Sequence, residues 1–329
     1  MRRRLMVRLS NEYLLDYANI LSEMFDGDLV KGLVFLATAQ ANVSHIGHDP
    51  ADFQRYGDLD DLRPDRLRRP IRPYALALSL GLPRERVRRK TAALVAEGFL
   101  TATGAGVIAS AEIFAREDMQ NAMRANSELV LRLYRALARA GIENTAPIDD
   151  DLDFAELPHL AISRATTRFW LRSTDEVCRL FSGDLLTGLI YIGVIHANTS
   201  YLNALPGSPY ADIDDHVPDS MRRPITAIAL AASLSLPRET VRRHVRALEG
   251  LGVCRSVKGG LIAPEIVLRQ PNMMGPAVRV QANIRLLLNQ LQMAGFPPAR
   301  SSASDALQMQ NGVVGYPQRS TAQTVGPAR

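Results

Sequence analysis

The chain has 329 residues, 47% hydrophobic and 22% charged, which excludes general disorder and is long enough for two domains with a core each. Its 39 Lys and Arg stand against 34 Asp and Glu, a net charge of only +5, so a polyanion partner would be met by local clusters of charge. Two cysteines, Cys178 and Cys254, are too few for a disulfide framework and lack metal-ligand spacing, which fits a reducing, cytoplasmic compartment.

The N-terminal Met1-Arg2-Arg3-Arg4 is basic, but Arg8 and Glu12 interrupt the apolar run that a signal peptide would need. From Tyr13 to Val43 apolar residues recur at helical spacing, with a break at Gly27-Asp28. A polar loop of Asp, Pro and Arg covers 46–69. Pro70 suits a first helical turn, so a short helix is expected from there to Gly81, and a second one from Pro83. Two short helices joined by a tight glycine-bearing turn, over about 70–98, are a helix-turn-helix signal. The stretch FLTAT-GAG-VIA (99–109) reads as a β-hairpin, and a closing helix is expected over about 117–140.

Residues 143–157, ENTAPIDDDLDFAEL, hold six acidic side chains and no basic one, so 143–165 reads as an acidic linker. The same order then returns: helical spacing from Arg168 to Leu202, a polar loop over 203–223, a helix pair over about 224–252 opened by Pro224, and a hairpin, VCRSV-KGG-LIA, over 253–263. A closing helix follows over about 275–294. The apolar run from Leu185 to Ala197 reads as too short to span a bilayer. Residues 298–329 are rich in Ser, Gln, Gly and Pro and read as a disordered tail.

Self-comparison explains the recurrence. Across 68–98, 19 of 31 positions are identical to 222–252, at an offset of 154. LPRERVRRK (82–90) returns as LPRETVRRH (236–244), and Asp58, Asp60, Asp61, Pro64 and Asp65 return as Asp212, Asp214, Asp215, Pro218 and Asp219. Further upstream the offset becomes 156: FDGDLVKGL (25–33) matches FSGDLLTGL (181–189), and ANVSH (41–45) matches ANTSY (197–201). The chain is a duplication, with a first module over 1–142 and a second over 166–297.

The charge sits on the repeated element. Residues 62–90 carry nine Arg and one Lys against Asp65 and Glu85, a net of +8, and residues 221–246 carry six Arg against Glu239, a net of +5. On the second helix of the pair, Val87, Thr91 and Leu94 share one side at spacings of four and three. Arg84, Glu85, Arg88 and Arg89 lie elsewhere on the wheel, as do Arg238, Glu239, Arg242 and Arg243 in the second copy. Arginine carries a planar five-donor fork that suits phosphate or the guanine edge, so these eight are the candidate DNA-reading residues. Arg68, Arg69, Arg222 and Arg223, and Lys258 on the second hairpin tip, are candidate phosphate contacts. A bland alternative is a solvated face laced with pairs such as Glu85–Arg89. Duplication of the same arginine placement favours DNA.

The pattern ALxxSLxLPRExVRR, followed by an apolar helix end, a glycine and an apolar hairpin, resembles the winged helix-turn-helix of bacterial transcription regulators of the MarR, GntR and IclR kind. The resemblance covers about 45 residues in each copy, and it implies that the hairpins are wings. Those regulators usually carry one such domain per chain and dimerise, whereas this chain carries two. The expected fold is mainly α with small β-hairpin wings, as two tandem modules in a pseudo-two-fold arrangement.

No phosphate loop, nucleophile elbow or paired carboxylates mark an enzyme, and no cofactor or metal is implied. His45, His48, His159, His196, His216 and His244 are scattered, with His196 reading as a core histidine, and the Asp-rich loops read as caps, turns or arginine partners. The expected function is sequence-specific transcription regulation on double-stranded DNA, with two recognition helices reaching successive grooves of an imperfect palindrome or an asymmetric pair of half-sites. The alternative is a protein-protein scaffold of the chromosome-organising or adaptor kind. In that reading the long apolar helices, with Gly32, Gly188 and Gly193, pack within the chain or form a homodimer. A ligand pocket between the long and closing helices is a third reading, its effector unknown.

Overall fold

The computed structural model describes residues 2–45, 56–148, 152–205, 207 and 209–297. The tail expected over 298–329 lies outside the described residues. The fold is mainly helical with two small antiparallel hairpins. In the first copy, α1 (Arg3–Met24) and α2 (Leu29–Val43) are followed by α3 (Pro73–Leu80), α4 (Arg84–Ala96), β1 (Thr101–Thr103), β2 (Gly106–Ile108), α5 (Ala111–Ala115) and α6 (Glu117–Arg139). The second copy repeats them as α7 (His159–Cys178), α8 (Leu185–Thr199), α9 (Ala227–Ser233), α10 (Arg238–Gly250), β3 (Arg255–Val257), β4 (Gly260–Ile262), α11 (Glu265–Leu268) and α12 (Pro271–Met293).

The first long helix of each copy starts earlier than expected. The first long helix begins at Arg3, well before Tyr13, and its counterpart begins at His159, inside the stretch expected as linker. The reason is packing. Leu5, Met6 and Leu9, like Leu160 and Ile162, are buried in the core, which stabilises helical turns that the sequence marks only weakly. Residues 1–297 accordingly form one compact unit, with a core running continuously from Leu14 and Phe35 through Trp170 and Ile284.

The copies interlock reciprocally. In the first copy, the Leu5 N–H donates to the Ala211 carbonyl at 3.1 Å; in the second, the Ala161 N–H donates to the Gly57 carbonyl at 3.0 Å. Arg8 donates to the Tyr210 carbonyl, and its counterpart Arg164 donates to the Tyr56 carbonyl. Residue i of one copy meets residue j of the other and the reverse also holds, the pattern of a two-fold interface drawn into a single chain. The long helices complete it: α1 lies against α6 and α12, and α7 against α12 and α6. Trp170, fully buried on α7, donates its indole N–H to the Leu14 carbonyl of α1.

Gly32, Gly188 and Gly193 serve packing inside the chain: an added Cβ would meet Phe25, Val177 and Leu230 respectively. Leu185–Ala204, α8 with its 3-10 extension, is 20 residues with a mean hydropathy of 1.2, so it is longer than the run judged from sequence. By length and composition alone it could cross a bilayer, but 67% of its apolar window is buried within the protein.

Candidate nucleic-acid interface

The helix pair does not start at Pro70. Arg68 to Arg72 run extended, and Ile71 forms a β-bridge to Val107, adding a short third strand to the hairpin; Ile225 does the same with Leu261. Helix α3 then opens with Pro73 in its first turn, and α9 with Thr226 as N-cap, its hydroxyl accepting from the Ala229 N–H at 3.1 Å. The strand approaches the hairpin so closely that a Cβ on Gly106 would fall 2.5 Å from the Ile71 carbonyl oxygen, and one on Gly260 2.4 Å from that of Ile225.

Gly81 closes the turn after α3 in the left-handed region, at φ +62°. Ser235 occupies the same place at φ +50°, a conformation a side chain adopts only at a cost. Ala77 and Ala231 are buried where the helices meet, and Val87 and Val241 are fully buried between them. Helix α4 buries Val87, Thr91 and Leu94, the stripe the wheel predicts, and α10 buries Val241, His244, Val245 and Leu248.

The opposite faces are open. Arg84, Glu85, Arg88 and Arg89 are all exposed, as are Arg238, Glu239, Arg242 and Arg243. Arg84 lies over the Tyr74 ring at 4.3 Å and donates to its hydroxyl. Arg88 makes a bidentate pair with Glu85, 2.8 and 2.7 Å, and Arg242 stands 3.4 Å from Glu239. The pairing is therefore i,i+3, where the alternative of a solvated face offers Glu85–Arg89 at i,i+4. Arg86 and Arg89 make no ion pair among the described residues. The Arg88 guanidinium holds the Glu85 carboxyl below the usual carboxylate range.

Two of the phosphate-contact candidates are elsewhere. Arg68 and Arg222 are buried, each beside the aspartate three residues earlier, Asp65 at 3.1 Å and Asp219 at 3.4 Å. Each also donates to a backbone carbonyl, of Arg63 and Val217, and Arg68 stacks on Phe114 at 5.0 Å. They cannot reach a phosphate at the surface. The physical reason is the extended backbone: successive side chains alternate, so Arg68 and Arg222 point in while Arg69 and Arg223 point out. Arg69, Arg223 and Lys258 are exposed, and Arg223 lies over Tyr201 at 3.9 Å.

Asp65 and Asp219 also cap the short helices α5 and α11, accepting from the Ala111 and Glu265 N–H groups at 2.7 Å. Burial would raise the Asp219 carboxyl, but the Glu265 N–H and the Arg255 guanidinium hold it below the ordinary range.

Two features escaped the sequence reading although the repeat motifs contain them. Asp28 and Asp184 of the Gly-Asp pairs cap α2 and α8, and each meets the helix carrying the open arginines: Lys90 pairs with Asp28, and His244 stands 3.5 Å from Asp184. Asn42 and Asn198 of the ANVSH and ANTSY motifs are wholly buried between the hairpin and the long helix.

Burial holds His244 below its usual pKa, Asp184 working against that and Arg243 with it, and burial does the same to His159 and His196. A histidine whose folded pKa is depressed contributes stability that is present above its unfolded value, about 6.5, and lost as pH falls. The melting temperature is expected to drop between pH 7.5 and 5.5, and to drop less in His196→Leu. An equal drop in both proteins would remove His196 from this account. Burial also pushes the Cys178 and Cys254 thiols up to about 12, which leaves little thiolate at neutral pH.

No protein-family model matches the chain, and no curated protein and no solved structure matches it.

Proposed function

We propose that this chain is a sequence-specific DNA-binding regulator in which two winged helix-turn-helix modules read two half-sites. One observation carries the reading: the second helix of each pair buries an apolar stripe and exposes the same arginines, Arg84, Arg88 and Arg89 in one copy and Arg238, Arg242 and Arg243 in the other. Duplication alone accounts for the recurrence, but a pair of major-groove readers gives the recurring arginines a use that a solvated helix face does not. Helices α4 and α10 are the recognition helices, the hairpins are wings, and Arg69, Arg223 and Lys258 contact phosphates. The reciprocal packing of the copies supports the comparison with a dimeric reader, matched helices being supplied by one chain.

Selection of bound sequences from random DNA, followed by footprinting, tests this. The expected result is one footprint containing two related but unequal half-sites, because Arg86, Lys90 and Ala92 are replaced by Thr240, His244 and Arg246. Binding to that site should weaken steeply with salt, since each phosphate contact releases a counterion. The second reading, a protein scaffold, is favoured by apolar side chains exposed on the first helices of the pairs: Leu78 is 62% and Ile228 60% exposed. Absence of any enriched sequence, together with a salt-insensitive protein partner, would select it.

A further inference from the structure

Duplication gives each recognition helix an internal reference, and the two differ in how their first arginine is held. In the first copy Tyr74, half exposed at the start of α3, has the Arg84 guanidinium over its ring at 4.3 Å and accepts from Arg84 Nη2 at 3.1 Å. Arg84 makes no other hydrogen bond and no ion pair among the described residues, so its remaining donors are open. In the second copy Ile228 stands where Tyr74 stands in the first, at the offset of 154, and offers neither a π face nor a hydroxyl. Arg238, the counterpart of Arg84, accordingly has no hydrogen bond, ion pair or ring contact among the described residues.

The amount of charge on the helices is not what separates them. Helix α4 exposes Arg84, Arg86, Arg88 and Arg89, and α10 exposes Arg238, Arg242, Arg243 and Arg246, four in each. The second wing adds one cation, the exposed Lys258, where the first has Gly104. An arginine discriminates between bases when its fork has to meet the guanine edge in one geometry. A guanidinium held on a ring keeps its place opposite a wrong base and leaves donors unpaired there. A free one turns to a phosphate oxygen and recovers much of the loss, because phosphates are present whatever the sequence.

We propose that Tyr74 is a positioning residue for sequence reading and that the two modules are unequal readers. The first discriminates at the base met by Arg84. The second holds its half-site more tolerantly, with Arg238 free to take a base edge or a phosphate and Lys258 adding a backbone contact. This division rests on the DNA-binding reading and says which half of the site carries the greater selectivity.

Affinities of the full chain for the selected DNA site, and for each single-base variant of it, test the division. The first copy's half-site is the one whose selectivity Arg88→Ala/Arg89→Ala removes. One position in that half should tolerate substitution roughly three- to tenfold less well than its counterpart in the other half, about the ordering cost of one long side chain. Tyr74→Ile should erase that excess at that position alone and leave affinity for random DNA unchanged. Tyr74→Phe keeps the ring and should retain most of it, and Ile228→Tyr should create a matching excess in the second half. Tyr74 and Ile228 are 50% and 60% exposed, so neither substitution removes a core contact. Equal selectivity in the two halves would overturn the division, as would unaltered selectivity in Tyr74→Ile or Ile228→Tyr, and each of these outcomes would leave DNA binding itself standing. A chain that selects no sequence at all would overturn both.

Discussion

Arg88→Ala/Arg89→Ala is expected to abolish the difference in affinity between the selected site and random DNA at the half-site read by the first copy. A bidentate contact to a base edge contributes about 1–3 kcal/mol of discrimination, so losing two amounts to roughly 10² to 10⁴ in relative affinity. Arg69→Ala should weaken both DNAs alike and lower the salt slope by about one, because phosphate contacts carry no sequence. Arg88 makes the experiment more informative than a charge count would. Its guanidinium is held by Glu85 at 2.7 and 2.8 Å, so on the proposed reading groove entry would have to exchange that pair for a base edge. Both residues are well exposed, so the pair itself contributes little to stability, and its loss leaves the fold intact. Titration by fluorescence anisotropy at two salt concentrations separates the effects. Unchanged affinity of the double variant for both DNAs would remove α4 from the interface and leave the exposed apolar side chains of α3 and α9 as the better-supported docking surface.

The sequence made some elements legible and hid others for identifiable reasons. The stripe of Val87, Thr91 and Leu94 was readable because a surface helix buries one face at a 3.6-residue period. The inward turn of Arg68 and Arg222 was not, because it depends on a short extended segment, on a bridge from Ile71 to Val107 and on Phe114, which is far along the chain. Local charge density looks the same whether an arginine faces water or an aspartate. Duplication was visible as identity, yet identity says nothing of whether two copies stand apart or interlock. That outcome rests on contacts such as Leu5 to Ala211 and Ala161 to Gly57, which no periodicity encodes.

Asn42→Ala and Asn198→Ala are expected to be the most damaging polar substitutions in the protein. Asn42 donates to the Arg69 and Val107 carbonyls at 2.7 and 3.2 Å and accepts from the Ala109 N–H at 2.9 Å. Asn198 repeats this with Arg223 at 2.8 Å, Leu261 at 3.1 Å and Ala263 at 2.9 Å. One amide thus satisfies three backbone groups and joins three elements: the long helix, the hairpin and the extended arginine segment. Alanine would leave the Arg69 carbonyl and Ala109 N–H, or Arg223 and Ala263, unpaired at about 1–3 kcal/mol each, while the Val107 and Leu261 carbonyls keep the Ile71 and Ile225 N–H groups, so about 2–4 kcal/mol per site is expected from denaturant unfolding. Asn42→Asp separates hydrogen bonding from shape. The carboxylate keeps the volume and can still accept from Ala109, but it cannot donate to either carbonyl and brings a buried charge, so it should be at least as destabilising as alanine. A loss below 1 kcal/mol in the alanine variants would show that the strand and hairpin hold without the amide. Because residues 1–297 share one core, either substitution should lower a single cooperative transition rather than split it, even though each lies in one copy. Amide exchange at Ile71 and Val107, whose N–H groups bond each other's carbonyls, should accelerate in Asn42→Ala beyond what the global loss predicts. The strand pair that presents Arg69 would then open locally, which makes the amide a determinant of where the arginines point as well as of stability.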